Sequence, residues 1–123
     1  MTLKNKLIIG IAISYIITVI LFKIGTSPDF VSIKTRDKFF YLAVGFFITG
    51  GILIFFLIQV IYKEKSAISA KLLVEYRESI FSGNKIDALN KGRIYYSYIR
   101  GGNLSVYDEQ AISNDLSTMK NLK

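Results

Sequence analysis

The chain contains no cysteine, no histidine and no tryptophan. Without cysteine there is no disulfide and no thiolate metal site. With histidine also missing, the commonest general base, the commonest metal ligand and the best side-chain nucleophile are all gone. Asp, Glu, Lys and Arg are absent from two long stretches, Leu7 to Phe22 and Phe39 to Tyr62. Proton relays, ion pathways and transport sites normally need ionisable groups inside such stretches. The expectation is a chain with no catalytic residues, no metal ligands, no cofactor and no small-molecule substrate.

What is present is apolar mass set apart from charge. Of 123 residues, 51% are hydrophobic and 20% charged, with a mean hydropathy of +0.39. Those values fit together if the two classes are segregated, and they are. The formal net charge is +7; up to Tyr62 six basic residues face two acids, and beyond it ten face seven. The length leaves room for one small soluble domain besides any membrane part.

The first apolar run, LIIGIAISYIITVILF, has Lys4 and Lys6 before it and Lys23 after it. Extended to Ile24 it holds roughly 18 residues, about 27 Å of helix, which just spans a hydrocarbon core. The following KIGTSPDF lacks the small-residue pattern of a signal-peptide cleavage site, so a retained span over 7–24 is expected. The second run, FFYLAVGFFITGGILIFFLIQVIY, is long enough to span with some tilt over 39–62. Tyr41 and Tyr62 sit near its ends, where amphipathic rings favour the interface. The loop 25–38 is too short for a domain, which makes the spans a hairpin. Lys4, Lys6, Lys63, Lys65, Lys71 and Arg77 on one side outnumber Lys23, Lys34, Arg36 and Lys38 on the other. That balance favours both termini in the cytoplasm.

Gly10, Ser14 and Thr18 recur every fourth residue, and Gly45 and Thr49 repeat the pattern beside Gly50 and Gly51. Small ridges of this kind let helices approach closely in lipid, either within one chain or between copies.

The remainder, 63–123, reads as about three amphipathic helices forming a cytoplasmic tail. Nothing breaks the chain between Tyr62 and Ser66, so the second span is expected to run on as helix. Ile68, Leu72, Leu73, Tyr76 and Ile80 form a stripe at helical spacing, ended by Ser82-Gly83-Asn84. Asn84 suits an N-cap for a helix to about Arg100. Its main apolar face is Ala88, Leu89, Gly92, Tyr95, Tyr96 and Ile99, with Ile94 and Tyr98 opposite. Gly101-Gly102 ends it. Ser105 and Asp108 make a capping-box variant for a last helix from Val106 to Met119, with Lys120 and Lys123 placed to favour its C-terminus. Arg93 and Arg100 share one helix face, as do Asp108 and Asp115. An antiparallel hairpin would pair Arg100 with Asp108 and Arg93 with Asp115, as exposed ion pairs of about 0–1 kcal/mol each.

Phe81 to Leu89 resembles the inter-helix turn of a tetratricopeptide repeat, but one pair cannot stack into a solenoid and no second copy exists. Arg100-Gly101-Gly102 resembles a lone RGG element, which works only in repeats; a helix cap explains it, and no nucleic-acid partner is expected. The fold class is therefore an all-α membrane protein. About 60 tail residues are marginal for an independent core, so a stabilising partner is expected. The functional expectation is a non-enzymatic anchor or accessory subunit in the bilayer. It would present its tail to a protein partner or to further copies of itself, with Ile94, Tyr98 and Tyr107 as contacts. The alternative is a membrane-permeabilising oligomer similar in topology to two-span phage holins.

Overall fold

The computed structural model describes residues 1–27 and 32–119. Among these residues there are four helices and no strand: α1 (Leu3–Thr26), α2 (Ile33–Phe81), α3 (Lys85–Arg100) and α4 (Val106–Thr118). The chain divides into two units, Met1–Lys63 and Glu64–Lys123. Helix α2 runs unbroken through the boundary. Lys120 and Lys123, expected beside the end of the last helix, lie outside the described residues.

Both helices of the first unit are long and apolar enough to cross a membrane. They extend past the apolar runs that announce them. The expected loop 25–38 is shortened from both sides, because α1 continues to Thr26 and α2 begins at Ile33. Lys34, Arg36 and Lys38 are therefore helical. An apolar run ends where side-chain chemistry changes, whereas a helix ends where its backbone ladder does, and Lys and Arg are good helix formers. Thr26 adds a hydroxyl bond to the Phe22 carbonyl at 2.8 Å, and the Ser27 N–H closes the end on the Ile24 carbonyl.

From Phe39 to the end of this unit, the less exposed positions of α2 are Phe39, Ala43, Phe46, Gly50, Leu53, Leu57 and Val60. Their spacing alternates between four and three, the seam of two helices packed side by side. The facing seam of α1 includes Leu7, Gly10, Ser14, Thr18 and Leu21. A Cβ on Gly10 would stand 3.3 Å from Leu53, and one on Gly50 would stand 3.2 Å from the Tyr15 ring and 3.6 Å from Ser14 Cβ. Tyr15 also meets Phe47 edge-on. Small residues thus let the two backbones close together.

The ridge expected on α2 divides. Of Gly45, Thr49, Gly50 and Gly51, only Gly50 faces α1; a Cβ on Gly45 or Gly51 would touch nothing within 4 Å, and Thr49 is exposed. Successive helical residues are separated by about 100°, so positions flanking Gly50 must turn away from a seam centred on it. The hydroxyls of Thr18 and Thr49 are satisfied without a partner helix, bonding to the carbonyls of Ser14 (2.8 Å) and Gly45 (2.9 Å). Around the outside of the pair, Ile13, Ile16, Phe47, Phe55 and Ile58 are all exposed.

Candidate functional site

The second unit packs the last turns of α2 with α3 and α4. Each helix boundary here is set by residues close by in sequence. Gly83, at φ 78°, follows α2. The Asn84 side chain accepts from the Asp87 N–H at 3.1 Å. Gly101, at φ 82°, closes α3, with its N–H and that of Gly102 returning to the Tyr98 and Ser97 carbonyls. Glycine takes this left-handed conformation without the Cβ penalty other residues meet. Ser105 and Asp108 form both halves of a capping box at the start of α4.

The centre of the unit is aromatic and polar. Tyr76 of α2 is buried against the rings of Tyr95 and Tyr96. Its hydroxyl donates to Asp115 Oδ2 at 2.7 Å. Gly92 lies where α3 passes this ring, and a Cβ there would stand 2.8 Å from Tyr76 Cε2 and 3.2 Å from Ile112 Cγ1. Ile112 and Ala88 are fully buried beside it, and Met119 nearly so. Ser79, also buried, satisfies its hydroxyl on the Tyr76 carbonyl at 2.6 Å.

The expected ion pairs divide. Arg100 does reach Asp108, at 3.3 Å. The pair is not the exposed one anticipated, because Asp108 is only 2% exposed and already accepts from the Ser105 N–H and hydroxyl. Those Ser105 bonds, then the Arg100 guanidinium, hold its carboxyl below the usual carboxylate range. Arg93 does not pair with Asp115. Its guanidinium makes two bonds to Glu109, at 2.9 and 3.3 Å, while Asp115 is taken by Tyr76. Register counted outward from the Gly101-Gly102 turn takes in α3 and α4 alone, whereas Asp115 is claimed by Tyr76 from α2. Burial, then the bond to Asp115, pushes the Tyr76 phenol well above the ordinary tyrosine range, and burial ahead of the Asp115 charge raises Tyr96 as well.

These polar groups are committed to one another, which makes the arrangement a device for holding three helices together. The candidate contacts do not form one patch. Ile94 is 54% exposed and Tyr98 half-buried, and both line a shallow groove with Lys65, Ser97, Gly101 and Gly102. Tyr107 is outside that groove, on the first turn of α4 beside Val106. Two apolar residues that periodicity did not single out as contacts, Phe81 and Ile86, stand exposed on either side of the α2–α3 corner. Phe81 follows the stripe residue Ile80 and Ile86 precedes the face beginning at Ala88, so each lies just off the packed surface. No family model, no curated protein and no solved structure matches this chain.

Proposed function

We propose that this protein is a non-enzymatic, two-span membrane anchor whose C-terminal three-helix unit is a folded module for a protein partner or for another copy. One observation carries the reading: the unit Met1–Lys63 exposes large apolar side chains around its circumference, including Ile16, Phe47, Phe55 and Ile58. Contiguous apolar surface of that extent is unfavourable in water. It is the ordinary exterior of a helix pair in lipid, where only the seam needs close packing. The Lys/Arg balance favours both termini in the cytoplasm. The module offers two faces, the Ile94–Tyr98 groove and the Phe81–Ile86 corner.

Expressed in bacteria, the full chain is expected to stay with membranes after alkaline extraction. A photoreactive side chain at Phe81 or Ile94 is expected to give one defined protein adduct in native membranes. Release by alkali would remove the membrane reading. An adduct pattern matching that from exposed Asn90 would remove the partner reading.

A second reading, the holin-like pore, is favoured by the outward Gly45–Thr49 face of α2, which leaves room for a further helix. Rapid, concentration-triggered loss of membrane potential on expression would establish it in place of the first.

A further inference from the structure

Val106 and Tyr107 are 82% and 80% exposed. They are held in place all the same, since they open a helix whose N-terminus is fixed by the Ser105–Asp108 capping box and the Arg100 bond to Asp108. Two neighbouring side chains with large apolar surfaces are thereby presented together on a fixed turn.

Their position within the second unit indicates what they meet. Lys65 lines one groove with Gly101 and Gly102, so the α3–α4 turn and the start of α4 lie at the Lys65 end of this unit. Lys65 follows Tyr62, the last residue of the apolar run, by three residues. Three residues reach at most about 11 Å in any conformation. The headgroup layer is itself about 5–8 Å thick on each side of the hydrocarbon. Lys65 is therefore bound to lie in that layer or just outside it, whatever the orientation of the unit. The charge at this end suits the same neighbour. Lys63 and Lys65 flank Glu64, while Asp108 and Glu109 are tied to Arg100 and Arg93. Tyrosine is enriched at the membrane interface because its ring is apolar and its hydroxyl is not.

We infer that Val106 and Tyr107 are seated in the headgroup layer of the bilayer that α2 crosses, so that the tail module is docked on the membrane through the first turn of α4. This rests on reading the run up to Tyr62 as a span. The opposite end of the unit, the Phe81–Ile86 corner, is left facing water.

The test uses the full chain in vesicles of phosphatidylcholine with phosphatidylglycerol. Because the chain has no cysteine, each single substitution carries one environment-sensitive label. Labels on Val106→Cys and Tyr107→Cys are expected to shift to shorter wavelength and lose emission to nitroxide-bearing lipids. A label on Phe81→Cys is expected to keep aqueous emission. Tyr107→Trp, the only tryptophan in such a chain, should repeat the depth signal without a bulky probe. A label on Phe55→Cys reports the span. If it is quenched from lipid while position 107 responds to aqueous iodide as position 81 does, the inference falls and the anchor reading stands. If Phe55→Cys is not quenched, both fall together. Protection at position 107 that disappears as the chain is diluted with lipid would assign the patch to a second copy and overturn the lipid assignment.

Discussion

The Tyr76 hydroxyl donates a 2.7 Å hydrogen bond to Asp115, joining α2 to α4 across 39 residues of sequence. A buried phenol needs a partner, and a bond to a charged acceptor contributes more than one between neutral groups. Tyr76→Phe keeps the ring packing and removes the donor. We expect it to destabilise the tail by about 1.5–3 kcal/mol, with Asp115→Asn losing less because an acceptor remains. Denaturant unfolding of the full chain in micelles, followed by tyrosine emission, measures both; equal stability of Tyr76→Phe and wild type would show the bond to be unimportant.

Gly92 is required for steric reasons. An added methyl would stand 2.8 Å from Tyr76 Cε2, and overpacking of this kind costs about 1–3 kcal/mol. Gly92→Ala should therefore weaken amide protection in α3 and α4. Gly51→Ala, with open space around it, should be neutral or gain from better helix propensity. Hydrogen exchange on the full chain reads both, and a reversed order would contradict the packing described.

What the sequence made legible depended on distance along the chain. The caps at Asn84, Gly101 and Ser105 could be read because each is satisfied within three or four residues. The partner of Arg93 could not, since the choice between Glu109 and Asp115 depends on how α3 crosses α4 and on a tyrosine from a third helix. A cue for that tyrosine was available: a Tyr in an amphipathic stripe brings a hydroxyl that must bond once the ring is buried. Similarly, the four-residue spacing of Gly45 and Thr49 marked a small face without saying where it points. The seven-residue step from Ala43 to Gly50 belongs to the seam itself.

The hairpin register is open to a covalent test. With a Cβ at position 50 placed 3.6 Å from Ser14 Cβ, Ser14→Cys with Gly50→Cys falls in the range a disulfide requires. Mild oxidation should close it within one chain. Ser14→Cys with Gly45→Cys should not close, because Gly45 turns outward. Non-reducing gel mobility distinguishes the two, and closure of the second pair in preference to the first would overturn the seam.

The tail should lose stability at both ends of the pH scale, for opposite reasons. Asp108 is held below its ordinary value of about 3.9 by the Ser105 bonds, then Arg100. Its contribution is complete above that value and fades as pH falls through it toward the lowered folded value. Tyr76 is raised, so its contribution is complete below about 10 and declines as pH rises beyond. Far-ultraviolet circular dichroism against pH should show both limbs. Asp108→Asn should remove most of the acid limb and Tyr76→Phe most of the alkaline one; variants that leave both limbs in place would locate the titration elsewhere.

Helix α4 is anchored by Glu109 on Arg93, Asp108 on Arg100 and Asp115 on Tyr76, with Ile112 as its one fully buried large side chain. Its attachment is thus richer in polar bonds than in hidden hydrocarbon. Heat capacity of opening follows the apolar surface released, with polar surface acting against it. Detachment of this one helix would accordingly change the heat capacity little, so its enthalpy would stay nearly constant with temperature. Its affinity for the rest of the module would be sensitive to acid and to concentrated salt.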